Sequence, residues 1–102
     1  MAVSFSKRLS ASPDVLFRLL GEEGVLVNLK TGLYLGLNAV GTRMWSALGS
    51  ASSIQAAYDE LLQEYEVEPA QLRADLEEFI DQLLGQKLIE TGPATEESQR
   101  YA

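Results

Sequence analysis

The segment NLKTGLYLGLNAVGTRMW (residues 28–45) holds the end of one strand, a tight turn, a second strand and the start of a helix. The turn is KTG, and the strand after it is LYLGL at 33–37. Asn38 follows at once and is a favourable N-cap, because its side-chain oxygen can accept a hydrogen bond from the first turn of a helix. No His, Cys or acidic cluster lies beside this strand, so local chemistry does not explain it.

Two further strands are predicted upstream, at VLFRLL (15–20) and VLVNL (25–29), because both segments are rich in β-branched and apolar residues. If both loops are three-residue turns that end in glycine, Val27 lies opposite Leu19 on one side and Leu35 on the other. This register places the apolar side chains on one face of the sheet, which would pack against the core. The face consists of Val15, Phe17, Leu19, Val25, Val27, Leu29, Leu33, Leu35 and Leu37.

Three helical patterns follow the strands, at 39–49, 54–65 and about 69–86. Ser52 or Ser53 is expected to cap the second helix, and Ser52 would form a capping box with Gln55. Pro69 suits the first turn of the third helix. Three strands followed by three helices predict an α+β fold. We expect a winged-helix-like three-stranded antiparallel β-meander packed on one face by a three-helix cluster.

A length of 102 residues predicts a single domain, which we place at 14–90. Residues 1–13 form an N-terminal arm that can hold a short strand at about 3–9. KLIE, at 87–90, predicts a short extended segment. The polar residues 91–102 predict a disordered tail.

The net charge of −7 is distributed unevenly along the chain. Residues 1–50 carry a net charge of +2 and residues 51–102 a net charge of −9. An acidic helical half repels phosphate, so nucleic acid is not an expected partner. No apolar run is long enough to span a membrane. The chain has no Cys and no signal-peptide pattern, which leads us to expect a cytoplasmic protein without a membrane partner.

The sequence offers little for catalysis. It contains no His and no Cys, so the commonest general base and the usual zinc ligands are missing. Asp75 and Glu78 have a spacing that can serve a hard cation, but a solvated helix face explains them better. We therefore predict no enzyme activity, no catalytic residue, no metal site and no cofactor.

With catalytic and metal sites excluded, the strand at 33–37 is the remaining candidate for a functional surface. As the last strand of a meander it lies at an edge, and it contains no Lys, Pro or evident bulge to block further pairing. An extended peptide can add to such an edge through main-chain hydrogen bonds. Alternatively, the N-terminal strand or a second copy of the chain covers it. The pattern alone leaves both interpretations open.

The segment VLVNLKTGLYLGLNAVGTRMWSALG resembles PqqD-like proteins, the family of pyrroloquinoline quinone synthesis protein D and stand-alone RiPP recognition elements. The shared features are the TG turn, an aromatic residue in the next strand, LN before the helix, Gly41 in its first turn, and the pair Met44-Trp45. The later segments LRADLEEF and LIE are also similar to the family. The resemblance covers about residues 14–90.

The resemblance implies a winged-helix-like domain that binds the leader of a ribosomally synthesised precursor peptide. Such a domain presents the leader to a modifying enzyme, such as a radical SAM protein or a leader peptidase. The implied peptide-binding residues are Leu33, Tyr34, Leu35, Gly36 and Leu37 on the strand, and Arg73, Leu76, Ile80, Leu83 and Leu84 on the third helix.

Two alternatives to leader binding stay open. One is a small structural protein that forms a homodimer through the same strand and has no peptide ligand. The other is a winged-helix regulator that binds DNA, which the acidic residues of the third helix disfavour.

Overall fold

A computed structural model describes residues 4–93 of the chain. It contains five strands and three helices within those residues. Their order is β1 (Lys7–Ala11), β2 (Val15–Leu20), β3 (Glu23–Asn28), β4 (Tyr34–Leu37), α1 (Ala39–Ser50), α2 (Ile54–Glu64), α3 (Pro69–Gly85) and β5 (Ile89–Pro93). The predicted α+β class, with a three-stranded meander followed by three helices, is confirmed. None of the helices in 4–93 is long and apolar enough to cross a membrane.

The strands form two antiparallel sheets. One has the order β2-β3-β4, and the other pairs β1 with β5. The alternative in which the N-terminal strand covers the edge of the meander is therefore wrong, because that strand pairs with the end of the described chain instead. Lys7 lies opposite Pro93, and Ala11 lies opposite Ile89.

The register of the meander differs from the predicted one. Leu26, and not Val27, is the residue opposite Leu35, and on the other side Leu26 faces Phe17. The first hairpin closes through two residues, Gly21 and Glu22, and the positive φ of 67° at Gly21 allows this tight turn. A one-residue shift turns the middle strand over. Its buried residues are Gly24, Leu26 and Asn28, whereas Val25 and Val27 are on the outer face.

Asn28 explains how a polar residue occupies the inner face of this sheet. It is only 4% exposed, and its side chain makes three hydrogen bonds. Oδ1 accepts from the N–H groups of Lys30 and Thr31, at 2.9 and 3.1 Å. Nδ2 donates to the carbonyl oxygen of Lys87, at 3.1 Å. Asn28 thus shapes the five-residue loop before β4 and ties the end of α3 to the sheet.

Side-chain hydrogen bonds cap the N-termini of α1 and α2. Oδ1 of Asn38 accepts from the N–H of Gly41 at 2.8 Å, which confirms Asn38 as the N-cap of α1. Oγ of Ser53 accepts from the N–H of Ala56 at 3.1 Å, so Ser53 caps α2. The predicted capping box that starts at Ser52 is wrong.

Both ends of the described chain contribute to the structure. Phe5 and Leu9 are buried with the helices and the sheet in one core. The prediction of a tail from residue 91 is wrong for 91–93, which belong to β5 and pair with β1. The remainder of the predicted tail, 94–102, lies outside the described residues.

Candidate functional site

Within residues 4–93, β4 pairs with β3 alone, so its other edge is open. The N–H of Asn28 donates to the carbonyl oxygen of Leu33 at 2.8 Å. Bonded pairs alternate along an antiparallel ladder, so Leu35 also turns its N–H and C=O toward β3. Tyr34 and Gly36, between these positions, direct their backbone N–H and C=O groups toward the open edge.

The open edge is accessible. Tyr34 is 70% exposed. A Cβ placed on Gly36 would meet no atom within 4 Å. The strand also lacks the Lys and Pro residues that commonly protect sheet edges. The edge therefore offers a row of unpaired backbone groups to an additional strand.

Contacts near the two ends of β4 relate this strand to α3. At the start of β4, Asn28 pairs with Leu33 and bonds to Lys87, just beyond the end of α3. At the other end, Val40 in the first turn of α1 lines a cavity together with Asp75 of α3. The C-terminal end of α3 is thus close to the start of β4, and Asp75 lies close to the helix that follows β4.

Helix α1 packs on the inner sheet face, where it contacts β3 and β4 and also lies beside β2. Its residues Thr42 and Arg43 line the space beside Phe17 and Leu19 of β2. The rings of Phe17 and Trp45 are 6.1 Å apart, which packs α1 against β2.

The predicted strand residues differ in accessibility. Leu33 is 51% exposed, and Gly36 is exposed together with Tyr34. Leu35 is half-buried and packs against the core, and Leu37 is buried. A ligand along this edge would thus meet backbone groups, the Tyr34 ring and the edges of two leucine side chains.

The predicted helix residues are less accessible. Leu76, Ile80 and Leu83 have no exposed surface, so they hold α3 in the core. Arg73 lies with its guanidinium carbon 4.0 Å from the centroid of the Phe5 ring. Leu84 shares the side of α3 on which Arg73 lies, at helical spacing. The structure thus brings Arg73 to the N-terminal segment rather than to β4.

The side of α3 away from Arg73 holds none of the residues predicted to bind peptide. Asp75, Phe79, Gln82 and Gln86 are spaced by four, three and four residues and so share one side of the helix. Asp75 places this side next to Val40. The signal for these residues was their helical spacing, but the charge of Asp75 suggested a solvated face instead.

We call the cavity beside Val40 the α1–α3 cavity. Its volume is about 230 Å³, and it opens between α1, α3 and the loop that connects α2 to α3. The walls are mostly apolar and include Met44, Tyr65 and Val67. Glu66 and Asp75 are the two charged residues in its lining.

The cations near this region are already engaged. Arg43 donates to Glu64 and Glu60 in ion pairs with N–O distances of 2.8 Å, which link α1 to α2. The hydrogen bonds from Arg43 to Glu64, and then to Glu60, raise the pKa of Arg43. Arg73 pairs with Glu77 on its own helix, at 3.5 Å. The charge on Arg43 is thus neutralised by its own neighbours.

Comparison with known proteins confirms the resemblance noted in the sequence. The family model for coenzyme PQQ synthesis protein D (PqqD) matches residues 23–89. The solved structure of TbiB1 in complex with the TbiA(beta) leader peptide is 35% identical, with a TM-score of 0.72 over 79% of this chain and 94% of that one.

A second solved structure is similar in fold. Lasso peptide synthetase B1 complexed with the leader peptide is 22% identical, with a TM-score of 0.71 over 83% of this chain and 98% of that one. The search of curated proteins finds no match.

Proposed function

This chain belongs to the coenzyme PQQ synthesis protein D family, and from that membership we propose that it is a peptide-binding chaperone without catalytic activity. It binds the leader of a ribosomally synthesised precursor peptide. It then presents that precursor to a modifying enzyme, such as a radical SAM protein or a leader peptidase. The absence of His and Cys from the sequence fits a binding role rather than a catalytic one.

The observation that carries this proposal is the open edge of β4. A leader in an extended conformation adds there as a fourth strand and bonds to the N–H and C=O groups of Tyr34 and Gly36. Each bond contributes about 1 kcal/mol net. The TbiB1 neighbour, solved with a leader peptide, supports this use of the fold.

Side chains of the leader alternate between the two faces of the extended sheet. Those on the inner face meet Leu33, Leu35 and the flank of α3 that carries Phe79. Leu76, Ile80 and Leu83 support this flank from the core. We leave Arg73 and Leu84 out of the proposed contact surface, because they lie on the other side of α3.

The sharpest test replaces Gly36. Gly36→Pro removes a backbone donor that faces the open edge and puts the proline ring where a fourth strand would lie, without removing a bond to β3. We expect binding of a leader peptide encoded in the same genome to weaken by at least tenfold. Titration calorimetry gives the affinity, and circular dichroism shows whether the variant is folded.

Gly36→Ala is the matched control, because it keeps the N–H and its Cβ meets only open space. Its affinity should stay within about twofold of the original protein, since a single methyl group in open space disturbs no contact. Equal affinities for folded Pro and Ala variants would refute strand addition at β4. A concentration-dependent dimer that Gly36→Pro abolishes would instead identify a second copy as the occupant of this edge.

A further inference from the structure

The α1–α3 cavity lies where an added strand would end. Leu37 is the last residue of β4, and Val40, three residues later, lines the cavity. A strand rises by about 3.3 Å per residue, so a leader paired along β4 reaches the cavity within one or two residues beyond Leu37. A side chain at one end of a leader bound along β4 is therefore within reach of the cavity.

The lining of the cavity combines apolar walls with unneutralised charge. Glu66 and Asp75 take part in none of the ion pairs formed among residues 4–93. One oxygen of Asp75 accepts from Nε2 of Gln71 at 2.9 Å. The surrounding segment 59–81 contains nine carboxylate side chains and a single basic residue, Arg73. The potential at this end of β4 is therefore negative.

We propose that the α1–α3 cavity selects leaders that carry a Lys or Arg next to a bulky apolar residue, immediately beyond the segment paired with β4. This inference rests on the proposed function and specifies its substrate class. The apolar side chain fills the space beside Met44 and Val67, and the methylene stem of the basic residue lies along the cavity wall. Its charged head reaches Glu66 and Asp75, as long basic side chains do at apolar surfaces.

A bound metal ion is a poorer match for these two carboxylates. Hard cations such as Ca²⁺ take six to eight oxygen ligands. The described part of the chain contains no group of three or more side chains placed to hold a metal ion. Two carboxylates beside apolar cavity walls are better suited to bind a Lys or Arg side chain that has an apolar residue next to it in the peptide.

The test is a selection from a random 12-residue peptide library displayed on phage. The original protein should enrich peptides in which Lys or Arg adjoins an aromatic or branched apolar residue. The double variant Glu66→Lys/Asp75→Lys should bind those peptides at least tenfold more weakly, because like charges would then meet. In its own selection, this variant should favour Asp or Glu at the same position.

Glu78→Lys/Asp81→Lys is the matched control. It makes the same change in net charge on exposed positions of α3 outside the cavity lining. This control should retain the preference for a basic residue beside an apolar one. That result would show that the preference comes from the cavity and not from a general attraction between an acidic protein and basic peptides. Thermal unfolding followed by circular dichroism confirms that both double variants are folded.

The outcomes separate the two proposals. Enriched peptides without a basic residue, or an equal loss of affinity in both double variants, overturn the inference and leave the proposed function intact. A selection that yields no peptide sensitive to Gly36→Pro refutes the proposed function, and the inference with it.

Discussion

A single amide side chain, that of Asn28, joins three parts of the molecule. It holds two N–H groups of the loop before β4 and one carbonyl at the end of α3. Because the loop before β4 and the end of α3 meet at Asn28, this residue positions the start of β4 without lying on its open edge. A buried polar group is tolerated here since its hydrogen bonds are made.

Asn28→Ala should lower the free energy of unfolding by about 3 kcal/mol, at roughly 1 kcal/mol for each hydrogen bond lost. Asn38→Ala removes a single exposed cap bond and should lower it by about 1 kcal/mol. Urea unfolding measures both values. Equal losses in the two variants would contradict the special role given to the buried amide.

At the scale of the strand, Gly24 fixes the register of the meander. A Cβ on Gly24 would lie 2.5 Å from Cε1 of Phe17, so the phenyl ring covers the glycine from the adjacent strand. The same ring packs beside Trp45 of α1. Only a residue without a side chain leaves room for this packing, which is why the inner face contains Gly24, Leu26 and Asn28.

Gly24→Ala should therefore destabilise the domain by about 2 kcal/mol, as overpacking commonly does. Gly36→Ala, on the next strand, should change the stability by about 0.5 kcal/mol or less, because its Cβ meets open space. Thermal and urea unfolding of the two variants compare a glycine that is covered by a ring, Gly24, with one that faces open space, Gly36. Similar stabilities would show that the Phe17 ring moves aside easily and does not set the register.

At the scale of the whole molecule, the segments outside the family match complete the core. The match begins at residue 23, yet Phe5 and Leu9 are buried and Arg73 lies over the Phe5 ring. Arg8 also donates to the carbonyl oxygens of Gly49 and Ala51 at the C-terminal end of α1. The β1–β5 sheet therefore belongs to the folded domain, in which β1 contacts α1 and α2, and β5 contacts α3.

Leu9→Ala should lower the free energy of unfolding by about 3 kcal/mol through the cavity that it creates. Leu20→Ala is the control for the same chemical change, because Leu20 is 72% exposed. Its effect should stay within about 0.5 kcal/mol. Unfolding curves of the two variants decide whether β1 is an integral part of the domain, and equal stabilities would show that it is not.

The sequence alone determined the helices, the meander and the edge position of the last strand. Their signals are local: the N-cap Asn38, Pro69 in the first turn of the third helix, and apolar spacing along each helix. The absence of His and Cys likewise restricted the chemistry without any structure. The family resemblance supplied the expectation of a leader peptide.

Only the tertiary structure decided the register, the pairing of β1 with β5, and the side of α3 that lies next to α1. In VLVNL both faces of the strand carry apolar residues, so hydrophobicity did not distinguish two registers one residue apart. The choice came from the Phe17 ring over Gly24 and from the hydrogen bonds of Asn28. These contacts join residues distant along the chain, and no local pattern encodes them.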